Sequence, residues 1–497
     1  MVPSDPSGSL WTVVAVIQQT AYLRSSTPWG LSILRAIRAA GASASAVALL
    51  ATLAVAPSPA RAEPATASAG AAVAESVGTY KPVGPARLLD TRSGLGAPAG
   101  AVTDNKVTNL QVTGLHGVPA TGVSAVVLNV TVTAPNKAGH LTVYPAGAAQ
   151  PVTSNLNFIP GRTIANSVTV PVGTGGRVAI LHRGGSTHII ADVTGYYIGA
   201  DDVTAGSEYY PLQPERILDT RDPSFGGRLP GGYTVWIPVD FGDFYNPFIR
   251  AVAVNLTAVS PVGSGHLTSW SGVGNPPNTS TLDFTANRTV PNMAIVPVGP
   301  CPAQFDCAGL PSIAILNRSS GGTHVLADLV GVFDESFDGF GLRFRPINPT
   351  RITDTRINLG ASGTLNAGRT VSIATPPSVT TPNTEALSMN VTAAYPTANT
   401  HVIVWPDFGD GSRPNVSNLN PAAGETVPNA AITGIGFDYR FNVYNNAGSL
   451  HLIVDVSGTF EYPYGRPTGA DAGRGSSAGS ASGRSAVPQP AIVGQLN

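Results

Sequence analysis

The sequence carries one short cluster of arginine and aspartate three times, about 130 residues apart. The copies read RLLDTR at 87–92, RILDTR at 216–221 and RITDTR at 351–356. Arginine pairs with carboxylates through two parallel hydrogen bonds, and arginine and aspartate beside aromatic rings also bind sugars and carboxylated ligands. Two interpretations follow. The favoured one is a clasp that fastens two strands of the same copy, and the other is a cradle for a ligand.

A second polar pair recurs later in each copy, where a histidine precedes an aspartate by four positions. In the first copy these residues are His188 and Asp192, in the stretch THIIAD. Residues four apart on a strand share one face, so the ring and the carboxylate should point the same way. Together with the first cluster, the candidate clasp or ligand residues are Arg87, Asp90, Arg92, His188, Asp192, Arg216, Asp219, Arg221, His324, Asp328, Arg351, Asp354, Arg356, His451 and Asp455.

A histidine beside a carboxylate can orient a general base or a metal ligand, so catalysis has to be considered. None of the three copies contains a G-x-S-x-G or H-E-x-x-H motif, and three equivalent active sites in tandem would be unusual. A glycosidase pair of Asp90 with Asp192 depends on a separation that the sequence does not give. Zinc held by His140, His188 and Asp192 would need converging strands, and hydrogen-bonded structural histidines are the favoured interpretation. The sequence therefore predicts a protein that is not an enzyme and that needs no metal or cofactor, with a hydrolase that uses His and Asp of each copy as an alternative.

The elements that must position these residues belong to a repeated unit. After each D-T-R the chain passes through an Asn-x-Thr run, a run with a histidine near its start, an S-x-L-N or S-T-L-D run, a T-x-x-N run and the His-x-x-x-Asp run, always in that order. Insertions fall between the runs, as loops tolerate. We therefore expect three equivalent domains, which we call repeats 1, 2 and 3, at 80–198, 208–334 and 343–462.

The runs themselves predict β-strands. They are about four to eight residues long and rich in Val, Ile and Thr, and turn residues separate them in a chain with 56 glycines and 43 prolines. No window keeps a helical period of 3.6 residues over ten or more residues. We predict an all-β fold with about eight to ten antiparallel strands in each repeat, packed as a sandwich or jelly roll. A β-propeller is the alternative, and it would need repeats of about 40–50 residues.

Asparagine inside the apolar runs is a further repeated feature. Asn129, Asn255 and Asn390 each begin an Asn-x-Thr tripeptide, which is the acceptor pattern for N-glycosylation. Since these tripeptides lie in runs that should be buried strands, we predict instead that each asparagine side chain is buried and hydrogen-bonds to backbone.

Residues 1–62 have the features of a signal peptide with an N-terminal prelude. Two arginines precede an apolar run at 46–56, and an A-x-A cleavage site ends at Ala62. The apolar run is too short to cross a bilayer as a helix, which needs about 20 residues, so no transmembrane segment is expected in the mature chain. The mature protein is predicted to be secreted, extracellular or at the cell surface, with a disordered Gly/Ser/Ala-rich tail at 465–497.

The cysteines and the net charge indicate the compartment of the protein and the partners it can attract. Cys301 and Cys307 are the two cysteines of the chain, and in an exported protein this spacing predicts a disulfide that closes a short loop. The net charge of -1 provides no overall field that would attract nucleic acid, so no nucleic-acid partner is expected.

Taken together, the motifs R-[IL]-L-D-T-R, S-N-L-N, T-x-A-N-x-V-x-V-P-V-G and H-x-I-A-D-V-x-G-Y-Y resemble a repeated β-rich module of secreted actinobacterial proteins, which is largely uncharacterised. The resemblance covers about 80–462. It implies export and an envelope or extracellular setting, sometimes attached to cell-wall or polysaccharide hydrolases, and it brings no catalytic residues with it. Repeat 3 departs most from the pattern, with Thr353 in place of leucine and Thr400 in place of the glycine before His401.

The function predicted from the sequence is that of a secreted, non-catalytic binding or scaffolding protein of the bacterial envelope or exterior. Cell-wall or extracellular polysaccharide is the leading ligand class, because three linked sites suit binding to a polymer. A purely architectural protein with its domains around a pseudo-threefold axis is the second hypothesis, and a secreted hydrolase is the third. Burial and mutual pairing of Arg87, Asp90, Arg92 and Asp192 would favour the clasp, whereas an open site lined by aromatic rings would favour a ligand.

Overall fold

The computed structural model describes residues 77–199, 206–338, 340–436, 438–465 and 491–493. Over these residues every sheet is antiparallel and no α-helix occurs, so the all-β prediction is confirmed for this part of the chain. The same residues contain no helix long and apolar enough to cross a membrane. The predicted signal peptide at 1–62 lies outside the described residues.

Short connections join the strands, and two single 3-10 turns, at Pro223–Phe225 and Asn246–Phe248, interrupt them. The strands in chain order are β1 (Tyr80–Asp90), β2 (Val102–Thr103), β3 (Val107–Gln111), β4 (Val123–Thr133), β5 (Gly139–Pro145), β6 (Leu156–Phe158), β7 (Ile164–Pro171), β8 (Arg177–Arg183), β9 (Ser186–Ile198), β10 (Glu208–Asp219), β11 (Thr234–Pro238), β12 (Ile249–Val259), β13 (Gly265–Trp270), β14 (Leu282–Phe284), β15 (Val290–Pro297), β16 (Gly299–Pro300), β17 (Pro311–Ser319), β18 (His324–Asp334), β19 (Arg343–Asp354), β20 (Leu365–Asn366), β21 (Arg369–Ala374), β22 (Thr384–Ala394), β23 (Val402–Pro406), β24 (Val427–Gly434), β25 (Arg440–Asn445), β26 (Ser449–Glu461) and β27 (Ala491–Val493).

Three of the sheets, which we call the inner sheets, share one strand order. They run β1-β9-β4-β7, β10-β18-β12-β15 and β19-β26-β22-β24, so the first and last long strands of each repeat are neighbours. Most of the remaining strands of each repeat form an outer sheet, of order β3-β8-β5-β6, β14-β13-β17-β11-β27 or β21-β25-β23, and β16 pairs with β17. The short strands β2 and β20 pair instead with β9 and β26 of the inner sheets. Each repeat therefore combines one inner and one outer sheet.

A hydrophobic core fills the space between the two sheets of each repeat. In repeat 1 it includes Leu128 of β4 on the inner side and Val143 and Ile180 of β5 and β8 on the outer side. Equivalent clusters occur in repeats 2 and 3, which gives each repeat a sandwich-like section. Burying apolar side chains of both sheets against each other is the main source of stability in such an arrangement.

One central strand of each inner sheet, the third in the order given above, is buried along almost its whole length on both faces. Strand β4 is buried at every residue from Ser124 to Val132, and β12 and β22 behave in the same way. The sequence of a strand that is covered on both faces is a nearly continuous apolar run, without the alternation of apolar and polar residues found in a strand with one exposed face. The runs VVLNVTV and VAVNLTAV in the sequence are explained by this, since one face packs on the outer sheet and the other on a neighbouring repeat.

Six aromatic rings form a separate cluster that joins the three repeats. Two come from each repeat, one from the first strand and one from the last, and neighbouring ring centroids lie 4.2 to 6.4 Å apart: Tyr80, Tyr197, Tyr209, Phe333, Phe344 and Phe460. A glycine of the last strand lies under each ring of the first strand. A Cβ on Gly195 would come within 2.1 Å of the Tyr80 hydroxyl, and one on Gly331 within 2.3 Å of the Tyr209 hydroxyl. The glycine of the G-Y-Y and G-V-F endings is therefore required by close packing.

Replacing Tyr197 with phenylalanine is expected to raise the free energy of unfolding by about 1 kcal/mol. The Tyr197 hydroxyl is buried and has no hydrogen-bond partner among the described residues, whereas repeats 2 and 3 carry phenylalanine at the equivalent positions. Tyr80→Phe is the matched control, because that hydroxyl donates to the carbonyl of Thr194 at 3.2 Å and its loss should destabilise. Denaturant unfolding of both variants checks the signs, and a destabilised Tyr197→Phe protein would contradict the argument.

Repeat 2 has two features that the other repeats lack. Cys301 and Cys307 form a disulfide, as predicted, and the loop that it closes lies beside Trp236 of β11. Strand β27, from within the tail predicted to be disordered, pairs with the free edge of β11 in antiparallel register. The structure thus differs from that prediction at 491–493, because an open sheet edge offers backbone groups that an extended segment can satisfy. The rest of the tail beyond residue 465 lies outside the described residues.

Candidate functional site

In repeat 1 the arginine and aspartate cluster joins the first strand to the last. Arg87 of β1 lies opposite Asp192 of β9 in the pairing register, and a β-bulge at Leu88 follows it. The Arg87 Nε donates to Asp192 Oδ1 at 2.9 Å, and its Nη2 donates to Oδ2 at 3.4 Å. The Asp192 side chain is 1% exposed. The two ends of the repeat are therefore linked by a bidentate ion pair whose carboxylate is buried.

The other half of the cluster lies nearer to solvent. Asp90 accepts from Nη1 of Arg87 at 3.3 Å and from Nε and Nη2 of Arg92 at 2.9 and 2.6 Å. The Arg92 side chain is 49% exposed. The hydrogen bond from Arg92 is the main reason why the pKa of Asp90 lies below the ordinary value. Burial has the opposite effect on Asp192 and raises its pKa, although Arg87 is bonded to it. The four side chains thus form a chain of alternating charges that runs from solvent into the interior.

Repeats 2 and 3 place their clusters in the same geometry. The inner pairs are Arg216 with Asp328 at 2.7 Å and Arg351 with Asp455 at 2.8 Å. The outer pairs are Asp219 with Arg221 and Asp354 with Arg356. In both, Nη2 of the arginine donates to Oδ2 of the aspartate at 2.6 Å, as in repeat 1. All twelve charged residues that the sequence singled out are brought together in three groups of four. The cavities that include Asp192 and Asp455 in their walls measure only about 20 Å³ each and have no aromatic ring in their lining.

The histidines of the His-x-x-x-Asp runs bond to the same motif through a different residue. His188 Nδ1 lies 3.2 Å from the Thr91 hydroxyl, which belongs to the D-T-R sequence. The same hydroxyl accepts from the backbone N–H of Ile189 at 3.0 Å. His324 with Thr220 and His451 with Thr355 reproduce the contact. Each histidine therefore shares a face with its aspartate, as predicted, but its hydrogen-bond partner is threonine.

The second histidine position is occupied by half-buried rings at the start of strands of the outer sheets. Burial lowers the pKa of His140, His266 and His401, so these rings are neutral at pH 7. His140 lies opposite Asn157 in the β5–β6 register, away from the Arg87 pair. Over the described part of the chain no three His, Cys, Asp or Glu side chains are grouped so that they could hold a metal ion.

The Asn-x-Thr asparagines connect one repeat to the next. Asn129 of repeat 1 donates to the carbonyl of Ser280 in repeat 2 at 2.6 Å, and Asn255 of repeat 2 donates to Ser417 in repeat 3 at 2.7 Å. Asn390 of repeat 3 donates to Ser154 of repeat 1 at 2.7 Å, which closes the cycle. The side chains are buried and bond backbone, as the sequence predicted, but the carbonyl belongs to the neighbouring repeat.

The asparagines of the T-x-x-N runs complete this ring, and the sequence reasoning did not single them out. Asn292 donates to the carbonyl of Thr281 at 2.6 Å and to Asn129 Oδ1 at 2.9 Å, and its own Oδ1 accepts from the backbone N–H of Ser167 at 3.1 Å. Asn166 and Asn429 make the equivalent contacts. The signal in the sequence was the recurrence of Thr-x-x-Asn in three copies. We call these six residues the asparagine ring: Asn129, Asn166, Asn255, Asn292, Asn390 and Asn429.

Backbone pairing repeats the same cyclic order at the start of each repeat. Tyr80 exchanges two N–H to carbonyl bonds with Ser207 at 2.8 and 2.7 Å, and Tyr209 does the same with Leu342 at 2.8 and 2.9 Å. Phe344 then pairs with Gly78 at 2.8 Å in both directions. Repeat 1 thus bonds to repeat 2, repeat 2 to repeat 3, and repeat 3 back to repeat 1.

Asp283 stands where the other repeats have Asn157 and Asn420. Its Oδ2 accepts from the Ser280 hydroxyl at 2.9 Å, as the two amide oxygens accept from their own serines. Burial raises the pKa of Asp283 to about 6, and the nearby charge of Asp192 adds to the rise. A carboxylate has replaced an amide at a position where the other repeats satisfy the same bond without charge.

Replacing Asp283 with asparagine is expected to raise the free energy of unfolding at pH 8 by about 1 to 3 kcal/mol. The pKa of Asp283 is about 6 in the folded protein and 3.8 ordinarily, so the wild-type protein loses stability as the pH rises from 3.8 to 6. Above pH 6 the stability difference between the variant and the wild-type protein stays constant. Denaturant unfolding at pH 4 and pH 8 measures this. An equal gain at both values would contradict the assignment, and Asn157→Asp should show the opposite sign.

Several cavities lie apart from the clusters, among them one between the repeats and one on an outer sheet. One of about 360 Å³ lies among all three repeats and includes Arg162, Arg288 and Glu425 in its wall. The other is a shallow groove of about 520 Å³ on the outer sheet of repeat 3, lined by Thr370, Trp405, Asp407, Ser412, Arg413 and Asn442. Trp405 belongs to the wall of this groove, although its side chain is almost fully buried.

The solved structures that are similar to this chain include two viral proteins with very low identity. One is described as "The Triple Jelly Roll Fold and Turret Assembly in an Archaeal Virus", with 9% identity, 78% of this chain and 90% of that chain covered, and a TM-score of 0.16. The other is described as "Life in the extremes: atomic structure of Sulfolobus Turreted Icosahedral Virus", with 10% identity, 77% and 90% coverage and a TM-score of 0.15. TM-scores this low support no argument about function. No protein-family model and no curated protein matches the chain.

Proposed function

We propose that this chain is a non-catalytic architectural protein in which three copies of one jelly-roll-like module close around a pseudo-threefold axis. One observation carries the proposal: the arginine and aspartate clusters and the asparagines that recur in all three repeats are engaged within their own repeat or with the next one. The clusters hold the ends of each repeat together, and the asparagine ring holds the repeats together. A ligand-binding motif would leave donors and acceptors facing an open surface.

The cyclic contacts support a closed body rather than a string of independent domains. Every repeat meets both others through the asparagine ring, the backbone pairs and the aromatic cluster. A body of this kind is rigid and presents three outer sheets on different sides. The signal-like sequence at 1–62 and the Cys301–Cys307 disulfide support a place at the cell surface or outside the cell.

Binding of cell-wall or extracellular polysaccharide is the second candidate. The observation that favours it is the groove on the outer sheet of repeat 3, where Asp407, Arg413 and Asn442 offer polar groups beside Trp405. The hydrolase alternative has less support, because Asp192 is bonded to Arg87 and His188 to Thr91.

Calorimetry and a binding assay together test the proposal. For a closed body, the van't Hoff and calorimetric enthalpies of unfolding should be nearly equal, since all three repeats unfold in one transition. Three separable transitions, or a van't Hoff enthalpy near one third of the calorimetric value, would defeat it. In a pull-down with insoluble cell-wall polysaccharide, the architectural protein should show no saturable binding. Saturable binding that is lost in Asn442→Ala would favour the second candidate.

A further inference from the structure

The turns that precede β7, β15 and β24 meet where the three repeats come together, and the cavity of about 360 Å³ lies among them. We call it the axial cavity. Each turn contributes the residue directly before the threonine of T-x-x-N, and these equivalent residues are Arg162, Arg288 and Glu425. Three identical chains would place three identical side chains here. Because the repeats belong to one chain, the three positions can differ, and they do.

Glu425 lies between the two arginines. One carboxylate oxygen pairs with Nη1 of Arg162 and the other with Nη2 of Arg288. A guanidinium has five N–H donors. Among the described residues neither guanidinium makes a further ion pair or hydrogen bond, and both arginines line the cavity, so each has N–H donors that no protein group occupies.

The charges of this group do not balance. Two guanidinium groups face one carboxylate, which leaves one positive charge in excess. Burial, together with repulsion from Arg288, lowers the pKa of the Arg162 guanidinium, which is the effect expected when a cation lacks full compensation. An uncompensated charge at a partly buried site is costly unless a counterion occupies it.

The other titratable groups of the wall do not pair with the two arginines. The carboxyl of Asp283, with a pKa of about 6, is negatively charged at pH 7, but the charges that act on it are those of Asp192, Arg87 and Arg92 in the cluster of repeat 1. Burial lowers the pKa of His401, so this ring is neutral at pH 7. Asn287 and Asn399 also line the cavity and can bond hydroxyl groups of a ligand.

We propose that the axial cavity binds one oxyanion, of the carboxylate, sulfate or phosphate type, between Arg162 and Arg288. The planar guanidinium fork matches the oxygens of such a group, and the excess of one positive charge matches a single anion. The cavity is large enough for a sugar acid as well as for an inorganic ion, since ligand sites of about 300 to 1,000 Å³ hold small organic molecules. The proposal does not depend on the architectural function, because a closed scaffold and a polysaccharide binder could both carry this site.

Isothermal titration of the full-length protein tests it, with sodium glucuronate, sulfate and phosphate as probes, glucose as the neutral sugar, and constant ionic strength. We expect saturable binding of one equivalent of an oxyanion and no binding of glucose. Binding of glucuronate in preference to sulfate and phosphate assigns the site to a carboxylated sugar, and the reverse assigns it to a free inorganic anion. No saturable binding of any of the three anions overturns the proposal.

Four variants locate the site. Arg162→Gln and Arg288→Gln should each weaken anion binding at least tenfold, because each removes the excess charge. Glu425→Gln should strengthen it several-fold, because it raises the excess to two. Arg369→Gln changes an exposed arginine on β21 and should leave the affinity unchanged. If a glutamine variant fails to fold by circular dichroism, Arg288→Lys replaces it, and an affinity unaffected by every substitution at 162 and 288 overturns the proposal.

Discussion

Replacing Asp328 with alanine is expected to lower the free energy of unfolding by about 3 to 5 kcal/mol, because it removes the buried carboxylate that pairs with Arg216 and leaves that half-buried arginine only its longer contact to Asp219. Asp328 accepts two hydrogen bonds from Arg216, at 2.7 and 3.1 Å, and one from the backbone N–H of Ser417 in repeat 3 at 3.3 Å. The carboxylate is almost fully buried. Its removal therefore affects both the closure of repeat 2 and the contact between repeats 2 and 3. Denaturant unfolding of the purified variant measures the loss.

The matched control is the outer arginine of the same cluster. Arg221 pairs with Asp219 at 2.6 Å but is about half exposed, and ion pairs at the surface contribute about 0 to 1 kcal/mol. Arg221→Ala should therefore cost much less than Asp328→Ala. Similar losses from both substitutions would show that burial does not set the strength of these pairs, and the clasp interpretation would then fail.

Replacing Asn292 with alanine is expected to cost about 3 kcal/mol or more, because one buried and two partly buried groups lose their hydrogen-bond partner and each buried group left unsatisfied costs about 1 to 3 kcal/mol. These groups are the Thr281 carbonyl, Asn129 Oδ1 and the backbone N–H of Ser167. Two of them belong to repeat 1, so the loss should also loosen the contact between repeats 1 and 2. Unfolding of the variant by denaturant gives the magnitude, and limited proteolysis reports whether the repeats have separated.

A double-mutant cycle separates the inter-repeat bond from the rest. Asn129→Ala combined with Asn292→Ala should cost less than the sum of the single variants, since the two side chains share one bond. Asn109→Ala, on the exposed edge strand β3, should change stability by less than about 0.5 kcal/mol. Strict additivity of Asn129→Ala and Asn292→Ala would mean that the asparagine ring does not couple the repeats.

The cluster geometry illustrates what could be predicted from sequence. Asp90 and Arg92 are two positions apart and Arg87 is three positions from Asp90, so their contacts depend mainly on one strand and the turn that follows it. The aspartate at 192 is far away in the chain, but the same order of strands in three copies indicated that the first and last strands of a repeat are neighbours. Repetition supplied a long-range signal that a single copy would not have given.

The histidines show where such reasoning stops. Four-residue spacing correctly placed His188 and Asp192 on one face of β9, yet the hydrogen-bond partner of the ring is Thr91. Spacing along one strand defines direction, whereas the partner depends on which residue of the neighbouring strand stands opposite. That choice follows from the β-bulge at Leu88, which the sequence RLLDTR does not reveal.

By itself the sequence determined the all-β character, the pairing of the two cysteines and the positions of the recurring charged residues, because strand-forming runs and local spacing are properties of neighbouring residues. Only the tertiary structure decided that Asn129 bonds to Ser280, that six aromatic rings converge, and that two arginines share Glu425. These contacts join residues more than one hundred positions apart in different repeats. They depend on how whole repeats pack, and packing of one folded unit against another leaves no periodic pattern in the chain.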